Sequence, residues 1–345
     1  MGQQALYRRY RPQSFDEVRG QDHITTVLSG AIKKDDVSHA YLFSGRRGTG
    51  KTSIARILAK ELGTADRDIY EIDAASHRGI DDVRELKEAV TSLPYESEYK
   101  VYIIDEVHML TTPAFNALLK TLEEPPEFVI FVLATTEPDE LPETITSRCE
   151  THEFRQPSAD QLTDAVQDVA EKEDKEIEPA AAAVIARAAD GSFRDAFGLL
   201  EKCLRAADGD SITADLAETV TGVPPHELVS QIVFAGIAAG DAESALEAIN
   251  QAEEKNLDPD TLFARVIAVV RAVLQIRLAP ELAEGIQREV SAELYEKITK
   301  AADAGADSGI TAKTLHTLLR YRNKLSADTL GHLPLEVAIV NMIDR

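Results

Sequence analysis

Gly45-Arg46-Arg47-Gly48-Thr49-Gly50-Lys51-Thr52 follows a short apolar run, Ala40-Tyr41-Leu42-Phe43, and leads into Ser53-Ile54-Ala55-Arg56-Ile57-Leu58-Ala59-Lys60, which has helical patterning. A strand, a glycine-rich loop and a helix in this order form the setting of a phosphate-binding P-loop. The glycines let backbone N–H groups turn toward a phosphate chain, and the helix N-terminus adds the positive end of its dipole. Lys51 can reach the β- and γ-phosphates, and Thr52 can ligate Mg²⁺. A nucleoside triphosphate is therefore the first ligand to expect. A glycine-rich turn without a ligand is the plainer alternative, and the strand and helix on either side count against it.

Such a loop needs an acidic partner, and the chain supplies one. Val101-Tyr102-Ile103-Ile104 is an apolar strand that ends in Asp105-Glu106. A residue at the C-terminal end of a parallel strand sits in the crevice where these sheets bind ligands, so Asp105 can hold Mg²⁺ through its water shell. Glu106 is the candidate for orienting and polarising an attacking water. A solvated strand end would look the same in isolation; the P-loop upstream argues for the catalytic reading. His108 could sense the γ-phosphate or position a neighbour, but reads first as a surface histidine. The next apolar run ends in Leu133-Ala134-Thr135-Thr136-Glu137-Pro138, which brings hydroxyls to the same crevice. Ser147-Arg148-Cys149 places an arginine just beyond the sheet, where an ordinary surface charge is the competing reading. Gly191-Ser192-Phe193-Arg194-Asp195 opens a later helix, from which Arg194 could reach a bound phosphate if that part of the chain folds over the site.

Residues 1–156 alternate apolar strand-like runs (Ala40–Ser44, Ile69–Ile72, Val101–Ile104, Phe128–Ala134) with helical stretches (Thr26–Lys33, Ser53–Leu62, Ile80–Ser92, Pro113–Leu122). This pattern predicts an α/β domain with a parallel sheet. Beyond Gln156-Pro157 strand signals stop and the pattern is helical. A second boundary falls at Gly222-Val223-Pro224-Pro225, followed by about five longer amphipathic helices. Three parts are expected: residues 1–156, a small helical domain over 157–222, and an all-helical domain over 223–345.

The chain has 345 residues, beyond one ordinary core at about 150 residues per domain. No apolar stretch approaches the roughly 20 residues that span a bilayer, and there is no signal-peptide pattern, so a cytoplasmic protein is expected. Cys149 and Cys203 stand far apart and form no CxxC pair, which predicts reduced, partly buried thiols. The net charge of −23 argues against nucleic acid held over the whole surface. Residues 1–60, however, carry eleven Lys/Arg against five Asp/Glu, whereas acids outnumber bases more than twofold in the rest. A polyanion could be held locally near the phosphate site.

Together these residues resemble the clamp-loader ATPases of the AAA+ class, most closely the gamma/tau subunits of bacterial DNA polymerase III. Supporting stretches are Ala5-Leu6-Tyr7-Arg8-Arg9-Tyr10-Arg11-Pro12-Gln13-Ser14-Phe15-Asp16-Glu17-Val18 with Gly20-Gln21, and Glu71-Ile72-Asp73-Ala74-Ala75-Ser76-His77-Arg78-Gly79-Ile80-Asp81-Asp82-Val83-Arg84. Leu119-Lys120-Thr121-Leu122-Glu123-Glu124-Pro125-Pro126 joins the Ser147-Arg148-Cys149 and Gly191–Asp195 motifs as further support. The resemblance is dense over residues 5–200 and rests on length and pattern beyond.

The resemblance implies a helical lid and a helical collar after the ATP-binding domain. It implies that Gly45, Arg46, Arg47, Gly48, Thr49, Gly50, Lys51 and Thr52 bind ATP, with Thr52 and Asp105 on Mg²⁺ and Glu106 on the water. Thr136, ahead of Thr135, would sense the γ-phosphate. Arg148 would be an arginine finger given to the ATP of a neighbouring subunit, and Arg194 a second sensor from the lid. Tyr10, Arg11, Pro12, Val18 and Gly20 would line the adenine and ribose. Ser76, Arg78, Gly79 and Arg84 would track primer–template phosphates, concentrating DNA contacts on an inner surface. Expected partners are other loader subunits in a hetero-pentamer, a sliding clamp and primed DNA, with no membrane. Polymerase activity of this chain itself is not expected.

Two departures stand out. Gamma/tau subunits usually carry a four-cysteine zinc module between the P-loop helix and the next strand; here only Glu61-Leu62-Gly63-Thr64-Ala65-Asp66-Arg67-Asp68 fill the gap. No zinc is expected, and the compact gap is more similar to small subunits of replication factor C. The chain also ends soon after the helical third part, so the extension by which tau contacts polymerase and helicase is expected to be absent. Two other readings stay open: a hexameric AAA+ DNA motor such as a branch-migration helicase, since Asp105-Glu106-Val107-His108 fits a DExH pattern, and a catalytically silent loader scaffold, which intact Lys51, Thr52, Asp105 and Glu106 oppose.

Overall fold

A computed structural model describes residues 4–207, 209–290, 292–324 and 331–343. The four apolar runs are strands: β1 (Ala40–Ser44), β2 (Ile69–Asp73), β3 (Lys100–Asp105) and β4 (Val129–Thr135). A fifth, β5 (Glu150–Glu153), carries no apolar run and was not expected. The sheet order is β2-β3-β4-β1-β5, and every pairing is parallel. β5 is an edge strand, where charged side chains face water without cost and blunt an otherwise open edge.

Alternation along the inner strands divides the core between the two faces of the sheet. On one face Leu42, Tyr102, Ile104, Phe131 and Leu133 pack with residues from two helices, Ile80–Val90 and Thr112–Glu123. On the other, Tyr41, Phe43, Val101, Ile103, Ile130 and Val132 pack with the helices Asp22–Lys33 and Lys51–Glu61. Strands buried on both faces read as continuous apolar runs, as these do. The compact gap before β2 is closed by Asp68, fully buried, whose carboxylate accepts N–H bonds from Tyr95 (2.7 Å), Glu96 (3.1 Å) and Ser97 (3.0 Å). Burial pushes its pKa up, but these bonds outweigh that and hold it below the usual aspartate value.

Contacts divide the chain into two compact units. One comprises residues 1–165 with 189–201, and the other 166–188 with 202–345. In the second, the long helix Pro259–Leu278 runs through a core that includes Phe263, Val266, Val270 and Val273. Arg277 near its end donates to the carbonyls of Ala301 (3.0 Å) and Ala302 (3.3 Å), which satisfies the C-terminus of the helix Ala292–Asp303, and to the Ile310 carbonyl (2.7 Å) beyond it. Among the described residues beyond 226, five helices have eleven or more residues, and shorter turns connect them. Strand does not stop at Pro157: Glu176–Ile177 and Ser211–Ile212 form a two-residue parallel pair, too short to leave a periodic signal. Cys203 is fully buried and Cys149 half-buried; both are free, and burial pushes each thiol up to about 11.

Candidate nucleotide site and its relatives

Strand order builds the site. β4 lies between β1, which feeds the P-loop, and β3, which ends in Asp105. Thr135 and Thr136, at the end of β4, therefore stand between the loop and the acidic pair.

The loop is held by its own polar groups. Lys51 is buried, and its Nζ donates to the carbonyls of Gly45 (2.6 Å) and Arg46 (3.0 Å). Burial lowers its pKa, against the pull of Glu106 and Asp105. The Thr49 hydroxyl donates to the Arg46 carbonyl (2.8 Å). Gly45 and Gly48 have φ of +142° and +77°, and both are crowded: an added Cβ would lie 2.7 Å from the Phe154 carbonyl oxygen and 1.9 Å from Ser192 Oγ. Gly50 starts the following helix, where its carbonyl accepts from Ile54 N–H.

Behind the loop, the Thr52 hydroxyl donates to Asp105 Oδ2 at 2.8 Å. The two side chains expected on Mg²⁺ thus meet, and both present oxygen, the donor a hard divalent cation takes. Glu106 follows in a left-handed conformation (φ 49°), its N–H donating to Asp105 Oδ1 at 3.0 Å. The Thr136 hydroxyl donates to Glu106 Oε2 at 3.0 Å. The structure therefore brings together Lys51, Thr52, Asp105, Glu106 and Thr136.

His108 is not a surface residue. Its side chain is 8% exposed, with Nδ1 2.9 Å from Thr135 Oγ1 and 3.6 Å from Glu106 Oε2. A tight turn, Val107–Met109, folds the ring back under β4, which sequence spacing could not show.

The remaining expected residues lie around this centre. The Gly191–Asp195 turn approaches the P-loop directly: Phe193 N–H donates to the Gly48 carbonyl (3.1 Å), and Arg46 pairs with Asp190 (3.4 Å). Arg194, exposed, lies over the Tyr7 ring at 5.0 Å. Tyr10, Arg11, Pro12, Val18 and Gly20 are all half-buried, and Val18 packs against the core that faces the P-loop helix. Burial is the main cause of a lowered Arg11 pKa, and neighbouring Arg56 adds to it. Gln21 carries no signal of its role in the sequence. It is fully buried, donating to the carbonyls of Arg155 (2.7 Å) and Thr49 (3.4 Å) and accepting from Arg155 N–H (3.1 Å), so it ties the P-loop to the segment after β5.

Arg148 lies elsewhere. It precedes β5, whose four residues run about 13 Å before the chain reaches the level of the P-loop. Its guanidinium bonds the Thr144 carbonyl (2.6 Å) and pairs with Glu123 (2.5 Å). Ser76, Arg78 and Arg84 are exposed, and Gly79 caps the helix that Arg84 belongs to. Ser76 donates to Asp73 (3.0 Å) and Arg84 to Asp81 (2.9 Å).

A P-loop after β1, an acidic pair after β3 and a polar residue after β4 in the order β2-β3-β4-β1-β5 define an AAA+ ATPase fold. Solved structures agree: the Thermotoga maritima RuvB Holliday junction branch migration motor superposes with a TM-score of 0.53 and 26% identity, over 69% of this chain and 85% of that one. Two family models match. The DNA polymerase III delta subunit model covers residues 20–75 and 64–158, and the ATPase lid domain of the DNA polymerase III clamp loader subunit covers 161–209. DNA polymerase III subunit tau of Bacillus subtilis is 40% identical over 94% of this chain and 60% of its own length. The tau subunit of Escherichia coli is 38% identical over 81% of this chain and 46% of its own, and gamma/tau of Mycobacterium tuberculosis 38% over 81% and 52%. The chain belongs to the AAA+ clamp-loader family that includes the gamma and tau subunits of DNA polymerase III. It spans about half to three fifths of the length of these curated relatives. Among the described residues, no helix is long and apolar enough to cross a membrane.

Proposed function

We propose that this chain is an ATP-hydrolysing subunit of a clamp loader, which uses ATP binding and hydrolysis to open a sliding clamp and place it on primed DNA. The observation that carries the reading is the Thr52–Asp105 bond behind a P-loop whose lysine is already folded into the loop.

Each residue has a task in this reading. The loop from Gly45 to Thr52 wraps the phosphates, and Lys51 exchanges its two carbonyl partners for phosphate oxygens. Thr52 and Asp105 hold Mg²⁺, which when bound neutralises charge across the phosphates. Glu106 orients the water, and the Thr136 hydroxyl turns its hydrogen bond from Glu106 to the γ-phosphate. Tyr10, Arg11, Pro12, Val18 and Gly20 frame the base and ribose. Arg194 lies on Tyr7 until a phosphate competes for it. Arg148, pointed away from its own P-loop, serves the ATP of a neighbouring subunit. Ser76, Arg78, Gly79 and Arg84 face the DNA backbone, the two arginines exchanging acidic or solvent partners for phosphates. Residues 1–156, 157–222 and 223–345 act as ATPase domain, lid and collar, the collar joining a hetero-pentamer. The compact gap before β2 holds no cysteine, and no zinc is proposed. A soluble, cytoplasmic replication protein is the setting.

Nucleotide acts here as a population switch: to change the subunit from clamp-free to clamp-bound decisively it must favour one arrangement by about 5 kcal/mol. The branch-migration motor is the second reading, because RuvB shares the fold; the gamma/tau matches and the lid model do not favour it. ATPase rate, measured with and without a sliding clamp and primed DNA, separates them. Stimulation by the two together supports a loader. Stimulation by DNA alone, indifferent to clamp, overturns it.

A further inference from the structure

We propose that His108 is a positioning residue for Glu106. Its imidazole fastens the turn that carries Glu106 to Thr135 on β4, and so keeps the carboxylate aimed when Thr136 gives up its bond to the nucleotide. The proposal rests on the ATP site described above and assigns a role within it.

The geometry begins with Glu106 Oε2, which faces two groups at once: the Thr136 hydroxyl at 3.0 Å and His108 Nδ1 at 3.6 Å. If Thr136 turns toward a γ-phosphate, Glu106 loses the short hydrogen bond that joins its carboxylate to the end of β4. Its backbone does not secure it fully, because a left-handed glutamate is strained and persists only where its surroundings hold it. Those surroundings are the Asp105 carboxylate, which accepts Glu106 N–H, and the turn Val107–Met109, closed by Met109 N–H on the Glu106 carbonyl (2.9 Å). His108 is the residue of that turn with a polar bond to the sheet.

Thr135 Oγ1 accepts from Glu137 N–H at 3.0 Å, and its hydroxyl keeps a proton and a second lone pair for the nitrogen 2.9 Å away. With His108 Nδ1 as the acceptor, the ring proton sits on Nε2. In this tautomer no N–H points at Glu106, so the imidazole fixes the turn without tying up the oxygen that must address the water. Both threonines of the β4 end then work on one carboxylate: Thr136 by a bond that can be released, Thr135 by one that is kept.

Three variants of the full chain test this. His108→Leu keeps the apolar bulk and removes the acceptor; His108→Asn restores a polar atom near Nδ1; His108→Gln places one at the depth of Nε2. The expected results are ATP binding within about twofold of the parent in all three, and kcat reduced about 10- to 100-fold in the leucine and glutamine variants with KM little changed. The asparagine variant should recover most of kcat. Parent-like kcat in His108→Leu overturns the proposal, as does an asparagine variant as slow as leucine. Equal loss of ATP binding and kcat, with a lowered melting temperature, also overturns it, because that marks a merely structural ring. Should the leucine variant not fold, the asparagine and glutamine pair decides alone. Lys51→Ala is the control on the site itself: if it binds and hydrolyses ATP like the parent, the nucleotide site is misplaced, whereas normal loss in that control with inert His108 variants rejects this role only.

Discussion

Two sets of residues in the nucleotide-binding unit differ in what holds them. At the centre, Thr52, Asp105, Glu106, Thr136, Thr135 and His108 are bonded to one another, within a crevice whose walls are core strands. Away from it, Arg148, Arg194 and Arg84 pair with groups at or near the surface: Glu123, the Tyr7 ring and Asp81. Exposed pairs contribute little to stability, so these arginines can change partner at small cost. The central groups change partner only in exchange, since breaking one bond leaves a half-buried polar atom unsatisfied until another group replaces it. Groups proposed to prepare the nucleotide are bonded into the fold, while groups proposed to answer a phosphate or another subunit are held loosely.

The strongest way to break this contrast is Arg148→Ala. ATP binding by the chain should be unchanged, and hydrolysis in the assembled loader should fall by about 10³-fold. Reduced ATP binding in the isolated chain would place the arginine with the central set. Next is Glu106→Gln, which keeps shape and the Thr136 bond but removes the charge: kcat should fall about 100-fold with ATP affinity retained, read by single-turnover hydrolysis. The smallest effect sharpens the peripheral side. Arg84→Ala should change the free energy of unfolding by no more than about a few tenths of a kcal/mol, yet weaken stimulation by primed DNA and flatten its salt dependence. A large loss of stability would show that this arginine is structural.

Much of the centre was readable from residue order alone. Continuous apolar runs marked β1 to β4 because those strands are covered on both faces, and the residues directly after β1, β3 and β4 are the ones that meet. What escaped has physical reasons. β5 is Glu150-Thr151-His152-Glu153, and an edge strand needs no apolar run because backbone pairing with β1 alone defines it. His108 looked exposed because one histidine after an acidic strand end carries no period; only a turn with a left-handed glutamate at its start returns the ring to β4. Gln21 was passed over because a buried amide that joins two carbonyls leaves no spacing rule. The helical remainder could be counted but not assembled, since amphipathic stripes do not say which helix they face. Arg277, for instance, closes the end of a helix that begins fifteen positions further along the chain.

β5 carries one more consequence. Because it runs parallel to β1, Arg148 at its start and the P-loop beyond the end of β1 lie toward opposite ends of one sheet. In the proposed reading the protein accepts a ligand at one end and offers a cation at the other, which gives it a head and a tail. Copies or relatives joined through those ends make heterologous contacts, never two-fold ones, so they form a ring if the rotation closes and a screw if it does not. Direction around such an assembly is then written into every member by the polarity of its strands.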